Sequence, residues 1–106
     1  NNLNFDSKNI NSTDYGKKIF SLINYIKNNE FLKQIISEID IRKDKNIIIY
    51  PQVSKQKIIF GYPIKIDVKF DKLIFFYKKI LPAKGWNTYK SVNLKFENQI
   101  VCNKSA

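Results

Sequence analysis

The spacing of apolar residues changes period three times along this chain, and that alternation limits what it can fold into. Ile19, Leu22, Ile23 and Ile26 recur at three and four, so they share one face of a helix running to about Asn28. Ser12, Thr13 and Asp14 stand ahead of it with side-chain oxygens suited to capping its free amides. Asn28 and Asn29 interrupt the pattern, and Glu30 to about Gln34 is expected to add one further turn. From Ile35 the period drops to two: Ile35, Ser37, Ile39 and Ile41 alternate with Ile36, Glu38, Asp40 and Arg42. Lys43–Asn46 is a turn candidate, followed by the β-branched run Ile47–Tyr50, which Pro51 limits. Lys57–Phe60 is again strand-like and is closed by Gly61. The helical period returns from Pro63 to Leu81. Phe70, Leu73, Ile74, Tyr77, Ile80 and Leu81 fall on one face there, and Lys65, Lys69, Lys72 and Lys79 largely on the other. Pro82 and Gly85 are expected to end this helix. Ser91–Phe96 and Gln99–Cys102 then read as a final strand pair around a turn or bulge at Glu97 and Asn98. Helix, strands, helix, strands is the signature of an α+β fold. The expectation is an antiparallel (mixed) sheet with two main helices packed on one face.

Residues 1–12, rich in Asn, read as a loose lead-in, and residues 13–106 as one small domain. Eight Phe, six Tyr and one Trp supply enough apolar bulk for a core despite the charge. That charge is +10, with Lys and Arg at 19 against Asp and Glu at 9. A surplus of this size raises nucleic acid, an anionic membrane surface or an acidic protein partner. It also has a plain origin: 18 Lys, 18 Ile and 13 Asn are all residues with AT-rich codons. Only one of the 19 cations is Arg, the residue suited to bidentate contacts with bases and phosphates.

Chemistry is restricted by what the sequence lacks. It has no His, which removes the commonest general base and metal ligand. One Cys, Cys102, excludes an internal disulfide and reads as a small buried hydrophobe. Three Gly, dispersed at 16, 61 and 85, cannot build a phosphate loop. Asp67 and Asp71 sit four apart on the second helix, but Lys65, Lys69 and Lys72 around them fit a solvated face better than a cation site. The reading is therefore of a non-enzymatic chain with no cofactor and no metal. No apolar run is long enough to span a membrane.

From Lys69 the sequence reads KFDKLIFFYKKILPAKGWNTYKSVNLKFENQIVCNK. The order KF-x-KL-x-x-FY-KK, then GWN-x-Y at Gly85–Tyr89, then V-N-L-K-F-x-NQ-I-V at Val92–Val101, resembles the C-terminal end of FtsQ/DivIB-type bacterial cell-division proteins, in their Bacteroidetes form. Leu22, Tyr25 and Ile26, Phe31 with Gln34 and Ile35, Tyr50–Pro51 and Ile59–Phe60–Gly61 agree in order, so the likeness spans about residues 15–104. It implies the β domain of a single-pass inner-membrane protein, facing the periplasm, with the transmembrane helix and POTRA domain outside this sequence. It further implies a role in divisome assembly, capturing FtsB/FtsL-type partners by strand addition at the C-terminal edge. Carried over to this chain, the partner-binding stretch is Leu94, Lys95, Phe96, Glu97, Asn98, Gln99 and Ile100, with Phe96 serving as partner anchor or as core. Sheet-edge logic agrees, because a terminal strand pair often leaves main-chain groups open to a partner. The alternative is a basic nucleic-acid-binding module, resting on charge and on Phe75, Phe76 and Tyr77 among lysines. A steep log–log salt dependence of binding to random DNA would favour it.

Overall fold

A computed structural model describes residues 14–96 and 99–104. The lead-in, the Ser12 and Thr13 caps, and the Glu97–Asn98 turn lie outside the described residues. The chain runs α1 (Asp14–Lys27), α2 (Glu30–Ile35), β1 (Ile36–Ile41), β2 (Ile47–Pro51) and β3 (Lys57–Gly61). It continues through α3 (Ile66–Phe75), a π turn (Phe76–Ile80), α4 (Leu81–Lys84), β4 (Tyr89–Asn93) and β5 (Val101–Lys104).

Local chemistry explains most boundaries. Asn29 interrupts the first helix because it caps the second: its side-chain oxygen accepts from the Leu32 amide at 3.0 Å. The β1–β2 hairpin turns where Lys45 takes a positive φ of 72° and the Asp44 carboxylate accepts from the Asn46 backbone and side chain, both at 3.1 Å. Those bonds, with the nearby Arg42 charge, hold the Asp44 carboxyl below its usual range.

The sheet is mixed, in the order β1-β2-β3-β4-β5. β3 and β4 are parallel, joined by the α3–α4 crossover, and the other pairs are antiparallel. Register aligns Ile39, Ile49, Ile58, Val92 and Cys102 in one row across all five strands. The first four of that row are buried with Ile19, Leu22, Leu32, Phe70, Leu73, Phe76 and Leu81, so the helices pack on that face. Cys102, half-buried at the end of the row, packs against the same core, and burial pushes its thiol pKa up. Three rings tie helices to sheet: Tyr25 stacks on Phe70 at 5.4 Å, and Phe70 meets Phe60 at 5.0 Å. The opposite face presents Asp40, Ile48, Ile59, Asn93 and Val101 in register.

Two expectations need correction. Pro82 does not end the second long helix: the chain continues to Lys84, and Gly85, at φ 103°, terminates it. Proline inside an α-helix lacks an amide and collides with the carbonyl four residues back. Here the preceding turn widens to π register, with the Leu81 amide donating to the Phe76 carbonyl five residues earlier. The helix thereby passes the proline while Phe76, Tyr77 and Leu81 stay in the core. Lys69 is the second correction. Its spacing puts it largely on the face away from the apolar stripe, yet it is only 6% exposed.

Candidate functional site

β4 stops at Asn93, earlier than the alternation through Phe96 indicates, and residues 94–100 connect it to β5. Leu94 still follows the sheet, its amide donating to the Ile59 carbonyl at 2.9 Å, and its side chain is fully buried. The Asn93 side chain then accepts from the Lys95 amide at 2.9 Å, a local turn that swings the backbone off β3. Beyond it Lys95 and Phe96 are exposed, Phe96 by 45%. Gln99 is exposed, Ile100 is half-buried against the core, and Glu97 and Asn98 lie outside the described residues. Of the seven residues singled out from the sequence, Leu94 thus belongs to the core. The strand that ends the sheet is β5, immediately after them.

The connection is pinned to α3 by one side chain. The Lys72 ammonium donates to the carbonyls of Leu94, Phe96 and Gln99 at 3.0, 2.5 and 3.3 Å. An ammonium has three protons and no acceptor, so a single lysine can hold three carbonyls in an otherwise irregular stretch. Beside this clamp a groove of about 610 Å³ opens between α3, the π turn and the connection. Val68, Asp71, Lys72, Phe75, Ile80, Gln99 and Ile100 line it. Val68 and Phe75, seven apart and so on one face of α3, are 48% and 52% exposed. The helix wall of the groove thus exposes Val68 and Phe75 between Asp71 and Lys72, and Gln99 and Ile100, just ahead of β5, line it from the other side.

Sequence reasoning missed Val68 and Ile80 as surface groups and treated Phe75 only as part of a basic-aromatic cluster. A signal existed, because Val68 and Phe75 are apolar residues off the core stripe of their helix. Asp67 and Asp71 are exposed, and the phenol pKa of Tyr25 is raised chiefly by burial and then by these two charges. Among the described residues, no three His, Cys, Asp or Glu groups come together as a metal site. No described helix is long and apolar enough to cross a membrane.

The other sheet edge, β1, is blunted by charge: Glu38 is exposed, and Asp40 pairs with Arg42 at 3.3 Å. β5 carries a single charged residue, Lys104.

A search of curated proteins returns no match. The family described as "FtsQ/DivIB, C-terminal related" matches residues 4–103, nearly the whole chain and every described element but the last residue of β5. The chain belongs to this FtsQ/DivIB C-terminal related family of bacterial cell-division proteins.

Proposed function

We propose that this chain is the partner-capturing domain of a divisome assembly protein, acting by binding and without catalysis. An extended segment of an FtsB/FtsL-type partner adds to the β5 edge, and its apolar side chains enter the groove beside Phe75 and Val68. Main-chain pairing supplies affinity and the pocket supplies selectivity, the division of labour usual when a peptide extends a sheet. Phe96, exposed on the clamped connection, is a further aromatic that the partner could cover. The domain works on the periplasmic side of the inner membrane, as the family relationship leads us to expect. One observation carries this reading: the less charged of the two sheet edges adjoins a groove whose helix wall exposes Val68 and Phe75. Exposed apolar residues gathered at one groove mark interaction surfaces more often than scattered ones do.

Calorimetric titration with the periplasmic segment of the same organism's FtsB-like protein tests it. Saturable one-to-one binding is expected, weakened roughly tenfold or more by Phe75→Ala, as for an aromatic anchor near the centre of an interface. Unchanged affinity in Phe75→Ala would remove the groove from the site. No binding by a folded domain would sink the partner assignment itself.

A further inference from the structure

A second cleft, of about 270 Å³, lies on the other side of Val68 and Lys72 from the apolar groove. Lys65, Val68, Lys69, Lys72, Leu94, Lys95 and Phe96 line it. Four of these seven residues are lysines, drawn from α3, its start and the β4–β5 connection, and none is acidic. Asp67 and Asp71 are not among its lining residues, because helical spacing sets them well round the axis from Lys65, Lys69 and Lys72, and Asp71 lines the apolar groove instead.

The cleft is built rather than accidental. Lys69 is nine-tenths buried, its ammonium donating to the Tyr62 carbonyl at 2.7 Å and lying 4.8 Å from the centre of the Phe60 ring. These are neutral partners, and no ion pair to Lys69 forms among the described residues. Lys95 reaches the cleft by crossing Gly61. A Cβ there would stand 2.6 Å from Lys95 Cγ, and φ at Gly61 is 82°, so glycine is what lets this lysine lie across the strand end. Lys65 itself holds φ 52° at the start of α3, an unusual backbone state for lysine. Burial and then the charges of Lys72, Lys65 and Lys95 push the Lys69 amine down to about 8. Like charges gathered around a buried cation cost stability unless an anion offsets them.

We propose that this cleft is a binding site for a phosphate-type oxyanion, either free or displayed as a lipid headgroup. Lys65 and Lys95 are the exposed lysines of its lining, while Lys69 and Lys72, whose ammonium groups are held on backbone carbonyls, add positive charge behind them. A doubly charged oxyanion suits ammonium groups, which act as point charges rather than planar forks. The site shares Val68 and Lys72 with the apolar groove, and Lys95 and Phe96 with the proposed partner-binding stretch, but its ligand is the anion and not the partner segment.

Titration of the whole chain with inorganic phosphate at constant ionic strength tests the proposal, following the Lys69 Cε signal by NMR against pH. Saturable binding is expected, with the Lys69 pKa raised by about one unit or more, since an opposite charge favours the protonated amine. Lys65→Gln and Lys95→Gln should each weaken binding roughly tenfold, the scale of one lost charge contact at a partly buried site. Lys84→Gln, outside the cleft, should leave it unchanged. Vesicles of phosphatidylcholine carrying phosphatidic acid form the second arm. Binding to them alone assigns the site to headgroups, and binding to inorganic phosphate assigns it to the free anion. If neither moves Lys69, or if Lys84→Gln weakens binding as much as Lys65→Gln, the proposal is overturned. A Lys69 shift produced only by an acidic division partner would overturn it too, while leaving the partner reading intact.

Discussion

At the scale of single residues, two lysines of α3 have opposite consequences. Lys72 spends its protons on three carbonyls of the 94–100 connection. Lys72→Met keeps the aliphatic stem and removes the clamp. We expect a stability loss of about 1–3 kcal/mol by urea unfolding, together with faster amide exchange across residues 95–100. Unaltered exchange there would show that the connection is held by other contacts. Lys69 is expected to act the other way. Its amine binds a proton less tightly in the folded chain, at about 8, than at the ordinary value of 10.5. Between those values the unfolded chain carries more protons, so this residue makes stability rise with pH across that window, and its cost is present in full below about 8. Lys69→Met should flatten that rise and match or exceed the parent's stability at neutral pH. An identical pH profile in parent and variant would refute the burial argument.

Among the elements, the proposed function rests most on β5 and the α3–α4 helix. In an antiparallel edge strand, successive amides point alternately inward to the neighbour and outward to solvent. Cys102 and Asn103 are successive residues of β5, so proline at one removes a bond to β4 and at the other removes an outward donor. The expected outcome for Cys102→Pro and Asn103→Pro is one variant that loosens the β4–β5 pairing and one that keeps it yet binds the partner at least tenfold more weakly. Circular dichroism and calorimetry read the two effects. If the variant that keeps the pairing also keeps full affinity, strand addition at β5 fails as a mechanism. The π turn has a structural consequence of its own. By absorbing Pro82 it carries the helix on to Gly85, which places Trp86 6.0 Å from Tyr77 and brings the Trp86 carbonyl to the Gln56 side chain at 2.6 Å. Gln56, 1% exposed, also donates to the Tyr89 carbonyl at 3.2 Å and so ties the β2–β3 turn to the start of β4.

For the molecule as a whole, stability rests on one core between the helices and a single sheet face. Phe70 touches both layers through Tyr25 and Phe60. Phe70→Ala should cost about 3–5 kcal/mol, a large part of the stability of a domain this small. A loss under about 1 kcal/mol would mean the core can collapse around the gap. The net charge of +10 acts on encounter more than on the bound state. Raising salt should therefore slow association with an acidic partner segment while leaving dissociation nearly constant. A salt effect confined to dissociation would place the charge inside the interface instead.

What the sequence by itself determined was local: which stretches are helix or strand, which face of each is apolar, and where Asn29, Gly61 and Gly85 break the pattern. These depend on side-chain period and backbone sterics, which neighbouring residues settle among themselves. The family likeness was legible too, in the spacing from Lys69 to Val101, and the matching of residues 4–103 agrees with it. Tertiary structure alone decided the rest. The parallel β3–β4 pairing depends on the long crossover, and the edge position of β5 follows from strand order. β4 ends at Asn93 because the chain must turn there to bring Val101 back opposite it, whatever the alternation through Phe96 says. Lys69 is buried, and Val68 and Phe75 are left uncovered, because of what packs against α3 from elsewhere in the chain. Periodicity ranks the faces of a helix but carries no information about which distant element will cover them.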